Sequence, residues 1–302
     1  MSDEPLGLAV LDKPAGMTSH DVVAAVRRAL GERRVGHAGT LDPPATGVLL
    51  VGVGRATRLL RFLQGTDKDY DGELELGTTT TTLDATGEVT GTFDMAAVTD
   101  ADVAAAAAAL TGDLAQVPPM VSALHVGGRR LHELARAGVE VAREPRRVHV
   151  ASFIVTPEGR GRYRFQVTCS SGTYVRSLVD DLGRALHGGA HLATLRRTRV
   201  GAFSLDDATS LEAFCADRAA ARAALLPARA MVAHLGVVTV GDDDAASLVH
   251  GRRVVTGARP GDAGEVAVCA EDGSLVGVAA RDADGVLRPE VVMHPGGARA
   301  DG

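Results

Sequence analysis

A chain of 302 residues is long enough to bury a sizeable core and sets an expectation of about two domains. Hydrophobic residues at 45% and charged residues at 23% are ordinary for a soluble globular protein, and no apolar run reaches membrane-spanning length, which points to a cytoplasmic protein with no membrane partner. The net charge of −6 argues against indiscriminate nucleic-acid binding, because a phosphate backbone repels an acidic surface.

The positive charge is nonetheless concentrated. Arginines cluster at Arg27-Arg28, Arg33-Arg34, Arg55/Arg58/Arg61, Arg129-Arg130, Arg143/Arg146/Arg147 and Arg196/Arg197/Arg199, while acids gather over residues 94–102 and after Asp242. Lys13 and Lys68 are the only lysines. A planar guanidinium suits bidentate phosphate contacts, and a solvated charged face is the default for any one pair. Cys169, Cys215 and Cys269 show no CxxC pairing, so neither a disulfide framework nor a zinc knuckle is suggested, and each reads as a small buried apolar residue.

In chain order, Leu8-Ala9-Val10-Leu11 reads as a first strand. A helix follows, capped by Thr18 or Ser19 with Asp21 in capping-box position, apolar on one face through Val22, Val23, Val26 and Leu30, and stopped by Gly31. The stretch from Arg34 to Gly47 then concentrates glycines, prolines and one carboxylate. Gly36, Gly39 and Gly47 permit positive φ or close approach to a ligand, and Pro43 and Pro44 hold the chain extended after Asp42. The apolar run Val48-Leu49-Leu50-Val51-Gly52-Val53 reads as a buried strand anchoring it from behind. Two readings stand: an active-site loop that fixes Asp42, or an Asp-Pro turn entering a strand.

Residues 55–63 read as a short amphipathic helix and 70–77 as an alternating strand. Thr78 to Thr82, with Asp84 and Gly87, read as loop, and 99–110 as an alanine-rich helix. From 112 to 145 the pattern is mixed, with turn signals at Pro118-Pro119 and Gly127-Gly128 and a helix over 131–136. Val148, Val150 and Phe153 mark one strand; Tyr163, Phe165 and Val167, alternating with Arg162, Arg164 and Gln166, mark the next. A helix begins at Thr173, carries Tyr174, Arg176, Leu178, Val179 and Leu182, and ends near His187-Gly188-Gly189; residues 196–203 are strand-like. His187 and His191 have the i,i+4 spacing of a helical metal pair, but the glycines between them oppose that helix, and no metal site is expected. Beyond Pro227, residues 236–240, 254–255, 265–270, 275–280 and 286–293 are short strands with hairpin signals at Asp272-Gly273 and Asp284-Gly285, suggesting a small all-β barrel. Residues 296–302 read as a disordered tail.

The segment GHAGTLDPPATGVLLVGVGRATRL around Asp42, preceded by DKPAGMTSHDVV, resembles the TruB family of tRNA pseudouridine synthases. The resemblance continues, in the family's order, through Lys68-Asp69-Tyr70, Gln116-Val117-Pro118-Pro119, Ser171-Gly172-Thr173-Tyr174-Val175-Arg176-Ser177-Leu178 and His191-Leu192-Ala193-Thr194-Leu195-Arg196-Arg197-Thr198. It implies an α+β fold. A catalytic domain over 1–233, with a mixed, mostly antiparallel central sheet flanked by helices and loops and a family-specific insertion at about 95–146, would precede a PUA-like RNA-binding β-barrel at 234–295.

The implied activity is conversion of the uridine in the TψC loop of tRNA, position 55 by family convention, to pseudouridine after the base is flipped out. The implied enzyme is a monomer that needs no cofactor, no metal and no obligate protein partner, with the TψC stem-loop of tRNA as its substrate. The reaction cleaves the N1–C1′ bond, rotates the base, joins C5 to C1′ and removes the C5 proton. It therefore calls for an ionised carboxylate, a cation that keeps it ionised, an aromatic surface and a proton acceptor. The resemblance makes Asp42 the nucleophile, Arg176 its paired arginine and Tyr70 the ring stacked on the base. It places Tyr174 and Leu195 in the base pocket and gives His37 the task of filling the gap left in the RNA.

Without the family, Arg176 reads as an i,i+4 partner of Asp180, Tyr70 as core packing and His37 as a loop histidine. Asp84 matches an acidic loop residue of the family but also reads as a turn cap, and no role is assigned to it. Met120-Val121-Ser122-Ala123-Leu124-His125 and His132 depart from the family, which has an aromatic after the prolines, a lysine shortly after Ser-Ala, and a tyrosine at the latter position. These changes bear on RNA docking rather than on chemistry. Two rivals remain: an RNA chaperone on the same fold, and a glycosidase or nucleosidase using Asp42 with a second acid, though no paired acid is evident beside the loop.

Overall fold

The computed structural model describes residues 4–121, 125–126, 129–130, 141, 143–257 and 263–293. The helix expected over 131–136, the turn at Gly127-Gly128 and the tail at 296–302 lie outside the described residues. The chain forms two compact units, one of Met1–Asp42, Leu49–Gln64 and Asp206–Gly302, the other of Pro43–Val48 and Gly65–Leu205.

The first unit opens with β1 (Gly7–Lys13) and α1 (Ser19–Leu30). The helix forms as its sequence dictates. Thr18 Oγ1 accepts from the Asp21 N–H while the Asp21 carboxylate accepts from the Thr18 N–H, and Gly31, at φ 66°, ends the helix in the left-handed region. Val22, Val23, Val26 and Leu30 are buried against Leu49, Val51, Val53 and Phe214, and each such side chain contributes about 1.5–3 kcal/mol. Next, β2 (Val35–Ala38) pairs antiparallel with the end of β3 (Thr46–Val53). The single amphipathic helix expected over 55–63 is instead a 3₁₀ stretch, Gly54–Leu59, followed by α2 (Leu60–Gln64). Ala56 and Leu59, three apart, eclipse in the tighter helix, so both are buried.

The second unit contains β4 (Lys68–Leu76), β5 (Thr78–Thr80), β6 (Val89–Thr92), α3 (Asp100–Ala109), β7 (Gly112–Gln116), the two-residue strands β8 (His125–Val126) and β9 (Arg129–Arg130), β10 (Arg146–Gly159), β11 (Arg162–Cys169), α4 (Val175–Ala185), β12 (Ala190–Val200) and β13 (Phe203–Ser204). Its sheet runs from the start of β3 through β12, β4, β11 and β10 to β7; the first of these pairings is parallel and the others antiparallel. Phe153 and Phe165 meet edge to face in its core, 5.8 Å between centroids. Thr78 to Thr82 is not all loop. Its β-branched residues form β5, which pairs with β6, and the Thr79 and Thr90 hydroxyls lie 3.0 Å apart across the hairpin. The helix expected to begin at Thr173 begins at Val175, with Tyr174 as its N-cap. His191 lies in β12 and its Nδ1 is 3.2 Å from the Thr78 carbonyl oxygen, so the helical spacing with His187 is not realised.

The chain returns to the first unit with β14 (Thr209–Ser210), parallel to β1, then α5 (Leu211–Phe214) and α6 (Arg218–Ala223). The five expected C-terminal strands follow as β15 (Gly236–Val240), β16 (Val254–Val255), β17 (Gly264–Ala270), β18 (Leu275–Arg281) and β19 (Val286–Val292), in the order β15-β17-β18-β19-β16. This is a PUA-like half-barrel. One element was not anticipated there: α7 (Asp242–Val249) sends Ala245 and Leu248 into its core. Three aspartates in the first turn, which read as an acidic surface run, suit the positive end of a helix.

Candidate active site

Asp42 ends the first stretch of the first unit, and Pro43 begins the second unit. The peptide before Asp42 is clamped: Ser19 Oγ, at the first residue of α1, accepts from the Leu41 N–H at 2.9 Å and lies 3.2 Å from the Leu41 carbonyl. Leu41 is buried and Asp42 half-buried, while Pro43 and Pro44 are exposed. His37 lies on β2 opposite Val51, not in a loop, and packs edge to face on His20 at 5.4 Å.

In the second unit, Gly47 has φ 104°, and a Cβ there would stand 2.1 Å from the Arg197 carbonyl oxygen, so only glycine lets β3 approach β12. Tyr70 is the third residue of β4, opposite Val167 on one side and Arg197 on the other. Leu195 is opposite Gly72, which makes Leu195 and Tyr70 diagonal neighbours on one face of the sheet. Arg197 is 1% exposed and donates from Nε to the Val48 carbonyl at 2.7 Å. Lys68 is also buried; desolvation, with the Arg197 charge adding to it, brings its ammonium down to about 8 against the opposing pull of Cys169 and Asp67. Lys13 is buried too, its Nζ donating to the Pro14 and Met17 carbonyls. Both lysines are therefore internal, and the exposed positive charge is arginine.

Arg176 projects from the first turn of α4 and is 5% exposed. Its Nη1 donates to the Thr82 carbonyl and its Nη2 to the Val121 carbonyl, each at 2.9 Å, and its Nε lies 3.8 Å from Asp84 Oδ2. Asp180, the i,i+4 alternative, is bound by Arg184 at 2.8 Å. Asp84 is itself held. Its Oδ1 accepts from Thr82 Oγ1 at 2.7 Å and from the Thr86 N–H at 3.0 Å, and the loop is stitched to β12 by Ala85 N–H to Leu192 O and Leu192 N–H to Leu83 O. A guanidinium cannot shed its charge when buried, so carbonyl oxygens and a carboxylate around it are what burial requires.

Residues 27–175 match the model of the TruB family pseudouridylate synthase (N terminal domain), residues 176–233 that of the tRNA pseudouridylate synthase B C-terminal domain, and residues 236–293 that of Pseudouridine synthase II TruB, C-terminal. The chain is 44% identical to the tRNA pseudouridine synthase B of Arthrobacter sp. (strain FB24), over 96% of this chain and 97% of that one. It is 51% identical to the enzyme of the same name from Symbiobacterium thermophilum, over 81% and 82%. This chain belongs to the TruB family of pseudouridylate synthases. Among solved structures, it is similar to a chain of a Cbf5-Nop10-Gar1 complex, with a TM-score of 0.74 and 27% identity over 96% of this chain and 86% of that one.

For this TruB-family chain, the structure sets Tyr70, Tyr174, Arg176 and Leu195 in the second unit and Asp42 and His37 in the first. It brings Tyr70 to Leu195 through the β4–β12 register and Tyr174 to Arg176 through the start of α4. Sequence reasoning left three residues without a role: Asp84, Arg197 and Gln116. The available signals were Asp84 among hydroxyl-rich neighbours and Gln116 opening the block before Pro118-Pro119; nothing in the sequence separates Arg197 from Arg196 and Arg199 beside it. A cavity of about 350 Å³ lies behind the Arg176 support, lined by Thr81, Leu83, Val117, Ser177, Asp180 and Asp181 among others. Its lining includes neither Tyr70 nor Arg176.

Proposed function

We infer that the protein is a tRNA pseudouridine synthase that isomerises the uridine at position 55, in the TψC loop, after flipping it out of the RNA. Asp42 is the nucleophile, Arg176 pairs with it, and Tyr70 stacks on the extruded base. Tyr174 and Leu195 line the base pocket, and His37 occupies the space the base has left. The observation that carries this reading is the near full-length similarity to enzymes named tRNA pseudouridine synthase B. The site supports it. Arg176 is buried, charged and held by two carbonyls, the state a cation needs in order to keep a neighbouring carboxylate ionised and still.

The chemistry is redox-neutral: one C–N bond breaks, one C–C bond forms, the C5 proton leaves and N1 takes up a proton. Attack by the carboxylate at C1′ and attack at C6 both satisfy this balance. Base extrusion costs a few kcal/mol, roughly, and a side chain filling the vacancy recovers part of it. The proposal extends to the division of labour, with catalysis in residues 1–233 and RNA gripping in 234–295, and to a cytoplasmic enzyme acting as a monomer.

Tritium release from tRNA labelled at uridine C5 tests the reading. The unsubstituted protein should release tritium, with pseudouridine mapping to position 55, while Asp42→Asn should bind tRNA and release none. Undiminished release from Asp42→Asn would remove Asp42 from the nucleophile role, and activity on free nucleosides but not on tRNA would favour the nucleosidase alternative.

A further inference from the structure

We propose that Gln116 is a positioning residue for the reaction: its side-chain amide fixes the start of α4, and through it the direction in which Arg176 projects. This rests on the role given to Arg176 above. Gln116 ends β7, is 2% exposed, and is held in register opposite Arg146 of β10. Its Oε1 accepts from the Tyr174 N–H at 2.7 Å and its Nε2 donates to the Tyr174 carbonyl at 3.1 Å. One amide thus engages both polar groups of one residue, as a neighbouring strand would.

That residue is the N-cap of α4. Helix N-caps are usually Ser, Thr, Asp or Asn, whose short side chains fold back on the first turn; here the cap is Tyr174, at φ −97° and ψ 105°. The Tyr174 carbonyl also accepts the Leu178 N–H, so the peptide that Gln116 grips carries the first hydrogen bond of the helix. Arg176 lies two residues farther on. A change in the Tyr174 dihedrals therefore turns the first helical residues and swings the guanidinium at the end of a long lever.

The segment after Gln116 closes the same loop of contacts. Ser177 Oγ donates to the Val117 carbonyl at 3.2 Å and Arg176 Nη2 to the Val121 carbonyl at 2.9 Å. Residues 116–121 and the first turn of α4 are thereby seated as one piece, with the Gln116 amide supplying two of its hydrogen bonds. The block Gln116-Val117-Pro118-Pro119 gains a physical reason: a rigid segment holds the amide at one end and a carbonyl for Arg176 at the other.

The test uses the whole 302-residue chain and labelled tRNA. Gln116→Met keeps the volume and removes both hydrogen bonds. It should lower the single-turnover rate by roughly tenfold to a hundredfold, the scale of a small misplacement of a reacting group, with tRNA Kd within about twofold. If Gln116 acts through Arg176, most of that loss should vanish in an Arg176→Lys background. Gln116→Glu loses the donor when ionised and regains it when protonated, so its deficit relative to the unsubstituted enzyme should shrink as pH falls. Should Gln116→Met fail to fold, Gln116→Glu decides alone. The same fold loss in both backgrounds, a loss confined to tRNA affinity or melting temperature, or a Gln116→Glu deficit that ignores pH would each overturn the proposal. Full activity in Arg176→Lys would instead remove the role of Arg176, and this proposal with it.

Discussion

The Asp84 carboxylate faces the Arg176 guanidinium, Oδ2 to Nε, at 3.8 Å, with both side chains about nine-tenths shielded from solvent. Asp84 Oδ1 is occupied by Thr82 and Thr86, which leaves Oδ2 turned to the arginine. The charge on Arg176 thus has a fixed countercharge in its own unit, one that does not depend on substrate. Removing one partner of a buried pair leaves the other uncompensated, at a cost of about 3–5 kcal/mol. Asp84→Ala is therefore expected to lose stability on that scale in urea denaturation and to lose turnover. Asp84→Asn, which still accepts from the threonines, should retain more of the stability than of the turnover. An Asp84→Ala protein as stable as the original would show that the pair is not a structural charge balance.

Burial and the neighbouring Asp180 charge raise the Asp181 carboxyl to about 6, against the opposing pull of Arg184. A carboxylate whose pKa is higher folded than unfolded holds more protons in the folded state between the ordinary value of 3.8 and about 6, so stability falls as pH rises through that window. Asp181→Asn removes the penalty. It should melt at the same temperature as the unsubstituted protein below about pH 3.8 and be more stable at pH 7. The full shift would correspond to about 3 kcal/mol, and partial solvent access reduces the expected gain to about 1 kcal/mol. A stability difference that is constant across this range would refute the assignment.

The elements legible in the sequence were those with both a periodicity and a terminus signal. α1 carried a capping box, an apolar face and a stop glycine, and it formed within those marks. α3 was equally plain through Thr99 and its alanines. The β5–β6 hairpin was not legible, because a run of threonines has no polar-apolar alternation to mark a strand; what reveals it is cross-strand pairing, a tertiary fact. α7 was hidden for a related reason, since Asp242 to Asp244 read as surface charge until Ala245 and Leu248 are seen in the core. The arginine clusters are not uniform in their surroundings. Arg197 is internal, Arg199 grips Asp69 with two nitrogens, Arg58 Nη1 donates to the Val292 carbonyl, and Arg61 pairs with Glu290. Asp42, Tyr70 and Arg176 took their roles from the family blocks, whereas Gln116 and Arg197, though inside such blocks, gain a role only from what folds against them.

Gly47 and Gly16 give a matched pair of backbone tests. Both have positive φ, 104° and 83°, so alanine strains either one by about 1–2 kcal/mol. They differ in what the new methyl group meets. At Gly16 nothing lies within 4 Å, while at Gly47 the Arg197 carbonyl oxygen is 2.1 Å away and its N 2.7 Å. Gly16→Ala should fold with a loss confined to the strain. Gly47→Ala has to push β3 off β12 and should lose more than about 4 kcal/mol, beyond the range of ordinary substitutions. Equal urea midpoints for the two variants would contradict the register of β3 on β12.

Ser19 holds the peptide that precedes Asp42, and its removal separates loop order from loop chemistry. Ser19→Ala deletes the acceptor for the buried Leu41 N–H, which costs about 1–3 kcal/mol if no other group replaces it. Because Ser19 belongs to a helix whose capping box rests on Thr18 and Asp21, α1 itself should stay intact. The effect is expected to be local: hydrogen exchange at the Leu41 amide should speed up by more than tenfold, while protection of Val23 and Val26 in α1 stays within a factor of about two. Turnover should fall as the peptide ahead of Asp42 loosens, whereas tRNA affinity, spread over many contacts, should hold. Unchanged exchange at Leu41 would mean that Ser19 does not clamp this loop.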